Sequence, residues 1–268
     1  MFNIIVQDVA HIYHLPMKKI LFNLFNRTFG VIFRGIQLTL INRTPPTDFQ
    51  YQINHIVPQG LHHYVNQRAV QESAEYVVNN FSTALIFNKR EELWDYCLNR
   101  VQNLKTAGGI IVEFGVWKGE SINFFARKCP NARVYGFDSF EGLEEDWYGY
   151  NLSKGSFSTN GELPMCEKNV ELIKGWFEET VPSFIDKLQQ SQIQILHMDA
   201  DTYKPTTFVL NSLSNNLRRG TIVIFDEYFG YPNFQLHEFK AWQEFVISVG
   251  LKYKYIGYTE LQVAVEIL

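Results

Sequence analysis

Cysteine is scarce in this chain. Cys97, Cys129 and Cys166 are an odd number with no Cys-x-x-Cys pair, which excludes a disulfide framework or a cysteine metal cage and suits reduced thiols. Basic charge is short as well: 24 Lys and Arg against 28 Asp and Glu leave a net charge of −4, so electrostatics give no reason to expect nucleic acid as the partner. No secretory leader and no apolar run long enough to span a bilayer is present, and the expected location is the cytoplasm. The Gly-x-Gly-x-x-Gly pattern, which brings a pyrophosphate onto a helix N-terminus, is also missing. The expected ligand therefore lacks a pyrophosphate, which argues against a nicotinamide-dependent oxidoreductase as the alternative enzyme class. What is present is ordinary globular material: 268 residues, 46% hydrophobic and 19% charged, with aromatics rich at 15%. That is enough for one α/β core with an extension.

The chain is organised around Ile110–Ser121. An apolar run of strand character ends in Glu113 and Phe114, and Gly115 and Gly119 then lead into a helix start at Ser121. Glycines stand where the chain must turn sharply and a ligand must approach bare backbone. Upstream, Asn88 and Glu91 have capping-box spacing for a helix carrying Leu93, Trp94, Cys97, Leu98 and Val101. Downstream, strand-like runs at residues 133–138, 170–174, 193–199, 221–226, 252–258 and 261–267 alternate with helical ones. This predicts a doubly wound, Rossmann-like α/β sheet, mostly parallel, closed by an antiparallel C-terminal hairpin. Residues 139–168 lack periodicity and read as a loop or lid over the site.

The N-terminal part has a different charge. Residues 1–45 carry a net +4, against −8 for residues 46–268, and apolar residues between Met17 and Ile41 recur at helical spacing before a Thr44-Pro-Pro-Thr47 linker. The expected division is a helical extension over residues 1–85 and a catalytic domain over residues 86–268. For the basic amphipathic segment, packing on the catalytic domain or on a second subunit of a homo-oligomer is favoured over a membrane surface. Recruitment of a non-catalytic α/β module by that segment is a third functional alternative. His62 and His63 read as surface residues.

Four ordered blocks, Glu113-Phe-Gly-Val-Trp-Lys-Gly119, Phe137-Asp-Ser-Phe-Glu-Gly-Leu143, Met198-Asp-Ala-Asp-Thr-Tyr203 and Phe225-Asp-Glu-Tyr228, resemble the class I S-adenosylmethionine-dependent methyltransferases, and within them the macrocin O-methyltransferase group. The resemblance covers roughly residues 85–268. It implies an enzyme that methylates a hydroxyl of a sugar or other polyhydroxylated small molecule with the help of Mg²⁺. It also implies a methionine-side loop of Glu113, Gly115 and Gly119 running into Ser121, with Asp138 at the ribose and Ser139, Gly175, Trp176 and Phe177 around the adenine.

Independently of the resemblance, ligands of an open α/β sheet bind beyond the carboxyl ends of its strands, where Glu113, Asp138, Asp199 and Asp226 all fall. Asp138 lies 23 residues after Gly115, a position from which an acid can bond both ribose hydroxyls. Asp199, Asp201, Asp226 and Glu227 converge if their strands are neighbours, and such carboxylates suit a hard divalent ion. The resemblance assigns the metal to Asp199, Asp226 and Glu227. The family more often has Asp or Asn at the third position, so Glu227 is a departure. Asp199 is the first candidate for catalysis, as metal ligand or proton acceptor, and His237 is a second candidate base, although its aromatic helix start favours packing. His197 reads as a core histidine supporting the site from beneath. Trp147, Tyr148, Tyr150 and Phe157 are candidates to stack on an acceptor.

Overall fold

The computed structural model describes residues 60–101 and 104–268. The basic segment at 17–41 and the linker at 44–47 lie outside the described residues. So does most of the expected N-terminal extension.

The strands are β1 (Leu85–Ile86), β2 (Ile110–Phe114), β3 (Arg133–Asp138), β4 (Val170–Lys174), β5 (Ile195–Met198), β6 (Ile222–Phe225), β7 (Tyr253–Tyr258) and β8 (Val263–Ile267). The helices are α1 (Leu61–Asn80), α2 (Arg90–Arg100), α3 (Leu104–Ala107), α4 (Glu120–Lys128), α5 (Phe177–Leu188), α6 (Tyr203–Ser212) and α7 (Glu238–Val249). They build one eight-stranded sheet in the order β1-β7-β8-β6-β5-β2-β3-β4. Only the pairs of β8 with β6 and β7 are antiparallel. The doubly wound sheet with a C-terminal hairpin is therefore present, and all six downstream strand runs match in full or are trimmed by no more than two residues at an end.

Physical chemistry dictates this layering. Every residue of β2, β5 and β6 is buried, as expected of central parallel strands covered on both faces. Alternate side chains go to opposite cores. Val112, Phe114, Leu196, Met198, Val223 and Phe225 pack with α5, α6 and α7. Ile111, Ile195, Ile222 and Ile224 meet Leu93, Trp94 and Leu98 of α2 and Ile122 and Phe125 of α4.

Helix α2 departs from the capping-box expectation. Its N-cap is Lys89, not Asn88, and no side chain caps it. The preceding chain is held extended by the Phe87 amide bonding the Tyr258 carbonyl at 2.9 Å, and Glu91 pairs with Arg90 at 3.6 Å instead of reaching back. Helix α1, which carries no clear apolar stripe, docks by hydrogen bonds: the Tyr76 and Tyr255 hydroxyls meet at 2.6 Å, and Ser73 Oγ accepts the Gly230 amide at 2.9 Å. His62 is exposed on its first turn. The three cysteines are free. No helix among the described residues is long and apolar enough to cross a membrane.

Candidate active site

The chain runs outward from β2 to β3 and β4, then returns to β5 on the other side of β2. That reversal opens a crevice beyond the carboxyl ends of β2 and β5. Two residues wall it at the narrowest point. Gly115 follows β2 with φ +90°, and a methyl group there would overlap the carbonyl oxygen of Asp199, the residue following β5. Only glycine serves both the backbone conformation and the approach. The crevice holds a cavity of about 260 Å³ lined by Gly115, Asp138, Ser139, Trp176, Phe177, Asp199, Asp226 and Glu227, among others.

Asp138 ties the crevice loops together. Its Oδ2 accepts the amides of Val116 at 2.8 Å and Trp117 at 2.7 Å, and its Oδ1 accepts that of Phe140 at 2.6 Å. A carboxylate offers about four acceptor positions, so roughly one remains for a ligand hydroxyl. The side chain thus caps a turn and lines the cavity at once. Asp138→Ala is expected to weaken S-adenosylhomocysteine binding about 10- to 100-fold, because three amides lose their acceptor and the loop loses its shape. Calorimetric titration checks this, and an unchanged affinity would remove Asp138 from the cofactor site.

On the other side of Gly115, oxygen atoms from Asp199, Asp226 and Glu227 all lie within 4.8 Å of one another. Asp201, held at φ +62°, also lines the cavity. Behind them Glu238, fully buried, accepts the amides of Ala200 at 3.4 Å and Glu227 at 3.2 Å. Desolvation, then the charges of Asp226 and neighbouring acids, pushes the Asp199, Asp201 and Glu227 carboxyls well above the usual range. Asp226 goes the other way. Burial opposes its charge, but the hydrogen bond and charge of His197 outweigh burial and hold its carboxyl below the usual range.

His197 sits beneath this group, wholly buried. Its Nδ1 is 3.0 Å from Glu113 Oε2 and its Nε2 is 3.5 Å from Asp226 Oδ1. Burial disfavours the imidazolium, yet Asp226 and Glu113 together push its pKa up to about 9. Gln262 donates a hydrogen bond to the same Asp226 Oδ1. Glu113, with Ser121 also hydrogen-bonded to it, is thus a buried brace for His197.

The lid closes the other wall. Trp117 and Phe157 line the cavity and meet edge to face at 5.6 Å. Tyr150 stacks on Tyr231 at 4.8 Å, and burial followed by the charges of Glu227, Asp201 and Asp226 pushes its phenol up to about 12. His237 is placed differently from a base in the cavity: its Nε2 bonds the Tyr148 carbonyl at 2.7 Å, under the lid, and burial lowers its pKa.

Of the expected site residues, the cavity therefore gathers Gly115, Asp138, Ser139, Trp176, Phe177, Asp199, Asp226 and Glu227. Glu113, Gly119, Ser121, Gly175 and His237 stand one layer back. Gly119 is the left-handed cap of α4, and the Gly175 amide bonds the Asp138 carbonyl at 3.0 Å. Sequence reading missed Arg90 and Glu238. Arg90 enters the cavity from the start of α2, a helix that reads only as a core stripe, and Glu238 lies in an aromatic run that reads as packing.

Comparison with known proteins agrees with this geometry. A family described as a methyltransferase domain matches residues 112–228, from β2 to the acid cluster after β6. The 8-demethyl-8-(2,3-dimethoxy-alpha-L-rhamnosyl)-tetracenomycin-C 4'-O-methyltransferase of Streptomyces olivaceus is 29% identical over 163 residues, covering 52% of this chain and 60% of that protein. The chain thus spans less than two thirds of that relative. The mycinamicin III 3''-O-methyltransferase of Micromonospora griseorubida is 25% identical over 224 residues, 72% of this chain and 83% of the relative. Among solved structures, the calicheamicin methyltransferase CalS11 superposes with a TM-score of 0.53 at 22% identity, over 78% of this chain and 94% of that one. The O-methyltransferase NovP superposes at 0.52 and 21%, over 66% and 78%. These two likenesses speak to the fold alone. Residues 112–228 thus match a methyltransferase domain, and the chain is similar to S-adenosylmethionine-dependent O-methyltransferases of the macrocin-type group.

Proposed function

We propose that the chain transfers the methyl group of S-adenosylmethionine to a hydroxyl of a sugar or other polyhydroxylated small molecule, assisted by a divalent ion such as Mg²⁺. The observation that carries this reading is the adjacency, within one cavity, of the glycine-walled crevice and the Asp199, Asp226 and Glu227 oxygens. We take residues 86–268 as the catalytic domain and residues 1–85 as its extension. Both curated relatives are named as O-methyltransferases, which supports the reaction type.

The donor set fits a hard ion. Three carboxylates point at one locus, and Glu227 Oε2 is buried with no hydrogen-bond partner. Oxygen ligands in this number leave positions for substrate oxygens. A bound cation would lower the pKa of an acceptor hydroxyl and favour its alkoxide near neutral pH. The sulfonium of S-adenosylmethionine supplies the methyl group.

The chain's own residues then have separable tasks. Bare backbone at Gly115 lets the methionine end lie at the strand tips, Asp138 accepts a ribose hydroxyl, and Trp176 and Phe177 flank the adenine. Asp199 stands where the two halves meet, so it orients the acceptor oxygen toward the methyl group or takes its proton. Holding donor and acceptor in line is the main contribution, since displacement at carbon depends on near-attack geometry. His197, Glu113 and Gln262 fix the direction of Asp226. The reading is tested by methyl transfer from labelled S-adenosylmethionine to hydroxylated acceptors before and after chelation: full activity in chelator removes the ion, and no S-adenosylhomocysteine binding removes the cofactor.

Ion binding should also appear in stability. Asp199, Asp201 and Glu227 have folded-state pKa values raised above the ordinary value of about 4, so what they contribute is fully present below pH 4 and is lost as pH rises through their raised values. A cation bound among them reverses that loss. The expected outcome is a Tm increment from millimolar Mg²⁺ that grows as pH rises above the ordinary carboxylate range, followed by differential scanning fluorimetry. An increment that is flat with pH would mean the ion binds elsewhere.

A further inference from the structure

We infer that helix α1, which lines no part of the cavity, positions the acid-bearing turn after β6, and that the Ser73 hydroxyl sets where Glu227 stands. This rests on the ion-assisted methyl-transfer reading and adds to it a positioning residue on an element that reading leaves idle. The turn is pinned amide by amide, and its last pin is a side chain of α1.

Five consecutive amides, from Asp226 to Gly230, donate to partners outside the turn. Asp226 donates to the Met198 carbonyl at 2.9 Å and Glu227 to Glu238 Oε2 at 3.2 Å. Tyr228 and Phe229 donate to the Leu261 carbonyl at 2.9 and 3.4 Å, and Gly230 to Ser73 Oγ at 2.9 Å. The first four acceptors lie on β5, α7 and the β7–β8 connection, and the fifth lies on α1. Peptide units are planar, so with the Phe229 bond long, a displaced Gly230 amide passes its rotation back toward Glu227. Glu227 Oε2 is buried with no hydrogen-bond partner, so the backbone is what aims that oxygen at the acid cluster.

Ser73 is suited to this task. It is one of two residues that α1 buries, the other being Ala69. Its hydroxyl donates to the Ala69 carbonyl at 2.7 Å, which spends the proton inside the helix and leaves a lone pair for the Gly230 amide. Serine in a helix interior competes with the backbone and is not favoured there for its own sake.

Neighbouring side chains fix the same docking. Glu72 Oε2 accepts Gln235 Nε2 at 2.8 Å. One turn on, the Tyr76 hydroxyl meets that of Tyr255 at 2.6 Å, which meets that of Tyr228 at 2.9 Å. Gln243 Nε2 donates to the Tyr76 and Tyr228 hydroxyls at 3.1 and 2.8 Å. Helix α1 thus holds the stretch from Tyr228 to Gln235 at three points, through bonds that are directional where apolar contacts slide. On the far side of the turn, Tyr231 stacks on Tyr150 of the lid and donates its hydroxyl proton to the Glu227 carbonyl at 3.3 Å.

The test compares Ser73→Ala with the parent full-length chain. Failure of the parent to bind S-adenosylhomocysteine overturns the methyl-transfer reading; failure to bind Mg²⁺ overturns the ion and this inference with it. In Ser73→Ala the calorimetric Mg²⁺ Kd should rise about 5- to 10-fold and kcat should fall by a similar factor, the low end of what loss of a group supporting a metal ligand costs. S-adenosylhomocysteine affinity should stay within about twofold, since Gly115 and Asp138 share no partner with Ser73. Hydrogen exchange of the ion-free protein should quicken at residues 228–231. A double-mutant cycle separates positioning from general damage: in the Glu227→Gln background Ser73→Ala should move the Mg²⁺ Kd by less than about twofold, because the group it aims is already lost. Full additivity in that cycle, or parent-like Mg²⁺ binding and exchange in Ser73→Ala, overturns the inference while methyl transfer stands. Should Ser73→Ala fail to fold, Tyr76→Phe keeps the ring, removes the hydroxyl and is read in the same way, with a rise in Mg²⁺ Kd of at least about threefold expected and a parent-like value overturning the inference.

Discussion

Asp199→Ala is expected to lower kcat/KM for methyl transfer by at least about 10³-fold while S-adenosylhomocysteine binds within about threefold of the parent chain. The size follows from losing an ion ligand or proton acceptor at the reacting oxygen, either of which is worth about 10² to 10⁴ in rate. Cofactor binding survives because the Asp199 carboxylate belongs to the acid cluster, while its backbone carbonyl and Cβ, which alanine keeps, wall the Gly115 crevice. A stability measurement separates this from general damage. Removing one of several mutually repelling carboxyls should raise the Tm of the ion-free protein and shrink the increment from Mg²⁺. Labelled-methyl transfer, calorimetry and scanning fluorimetry read the three quantities. Retained activity with lost cofactor binding would reverse the roles assigned to the two halves of the cavity.

Gly115→Ala should have a large effect for a single methyl group. At φ +90° an alanine is strained wherever it stands, and here its methyl group would overlap the Asp199 carbonyl. The clash is backbone against backbone, at a point where the Asp199 amide bonds the Phe114 carbonyl at 2.9 Å, so β2 and β5 can relax only by parting at the crevice. A loss of about 3 kcal/mol or more is expected, together with at least about a 100-fold loss in S-adenosylhomocysteine affinity. Gly155→Ala is the control. Gly155 has a similar φ of +84° but open space where the methyl group would go, so it should cost only about 1 kcal/mol of backbone strain. Urea denaturation of both variants gives the comparison, and equal losses would show that the close approach at Gly115 carries no weight.

These expectations also mark how far the sequence could be read. The runs of β2, β5 and β6 were legible because strands buried on both faces are almost wholly apolar, with Glu113 and His197 as their only polar residues. The acids ending β5 and β6 were legible for a related reason: a carboxylate directly after such a run must lie at the strand tip. Helix α1 was opaque, since it docks through the hydroxyls of Tyr76 and Ser73 and buries only Ala69 and Ser73. The Asn88 cap was misread because a two-residue strand, β1, holds the chain extended to Lys89, and a pairing with Tyr258 so far along the chain leaves no local trace.

Sequence by itself determined the alternation of strands and helices, the glycine turn after β2 and the identity of the acids at the strand tips, since each depends on neighbours within a few residues. Tertiary structure alone decided what those groups meet. It turned Glu113 inward onto His197, filled most of Asp138 with loop amides, set His237 under the lid, brought Arg90 to the cavity from α2 and placed Glu238 behind the acids. Charge and hydrogen-bond partners act through space over a few ångströms, and residues from 22 positions apart, as Val116 and Asp138, to 84, as Glu113 and His197, become neighbours only once the sheet is ordered.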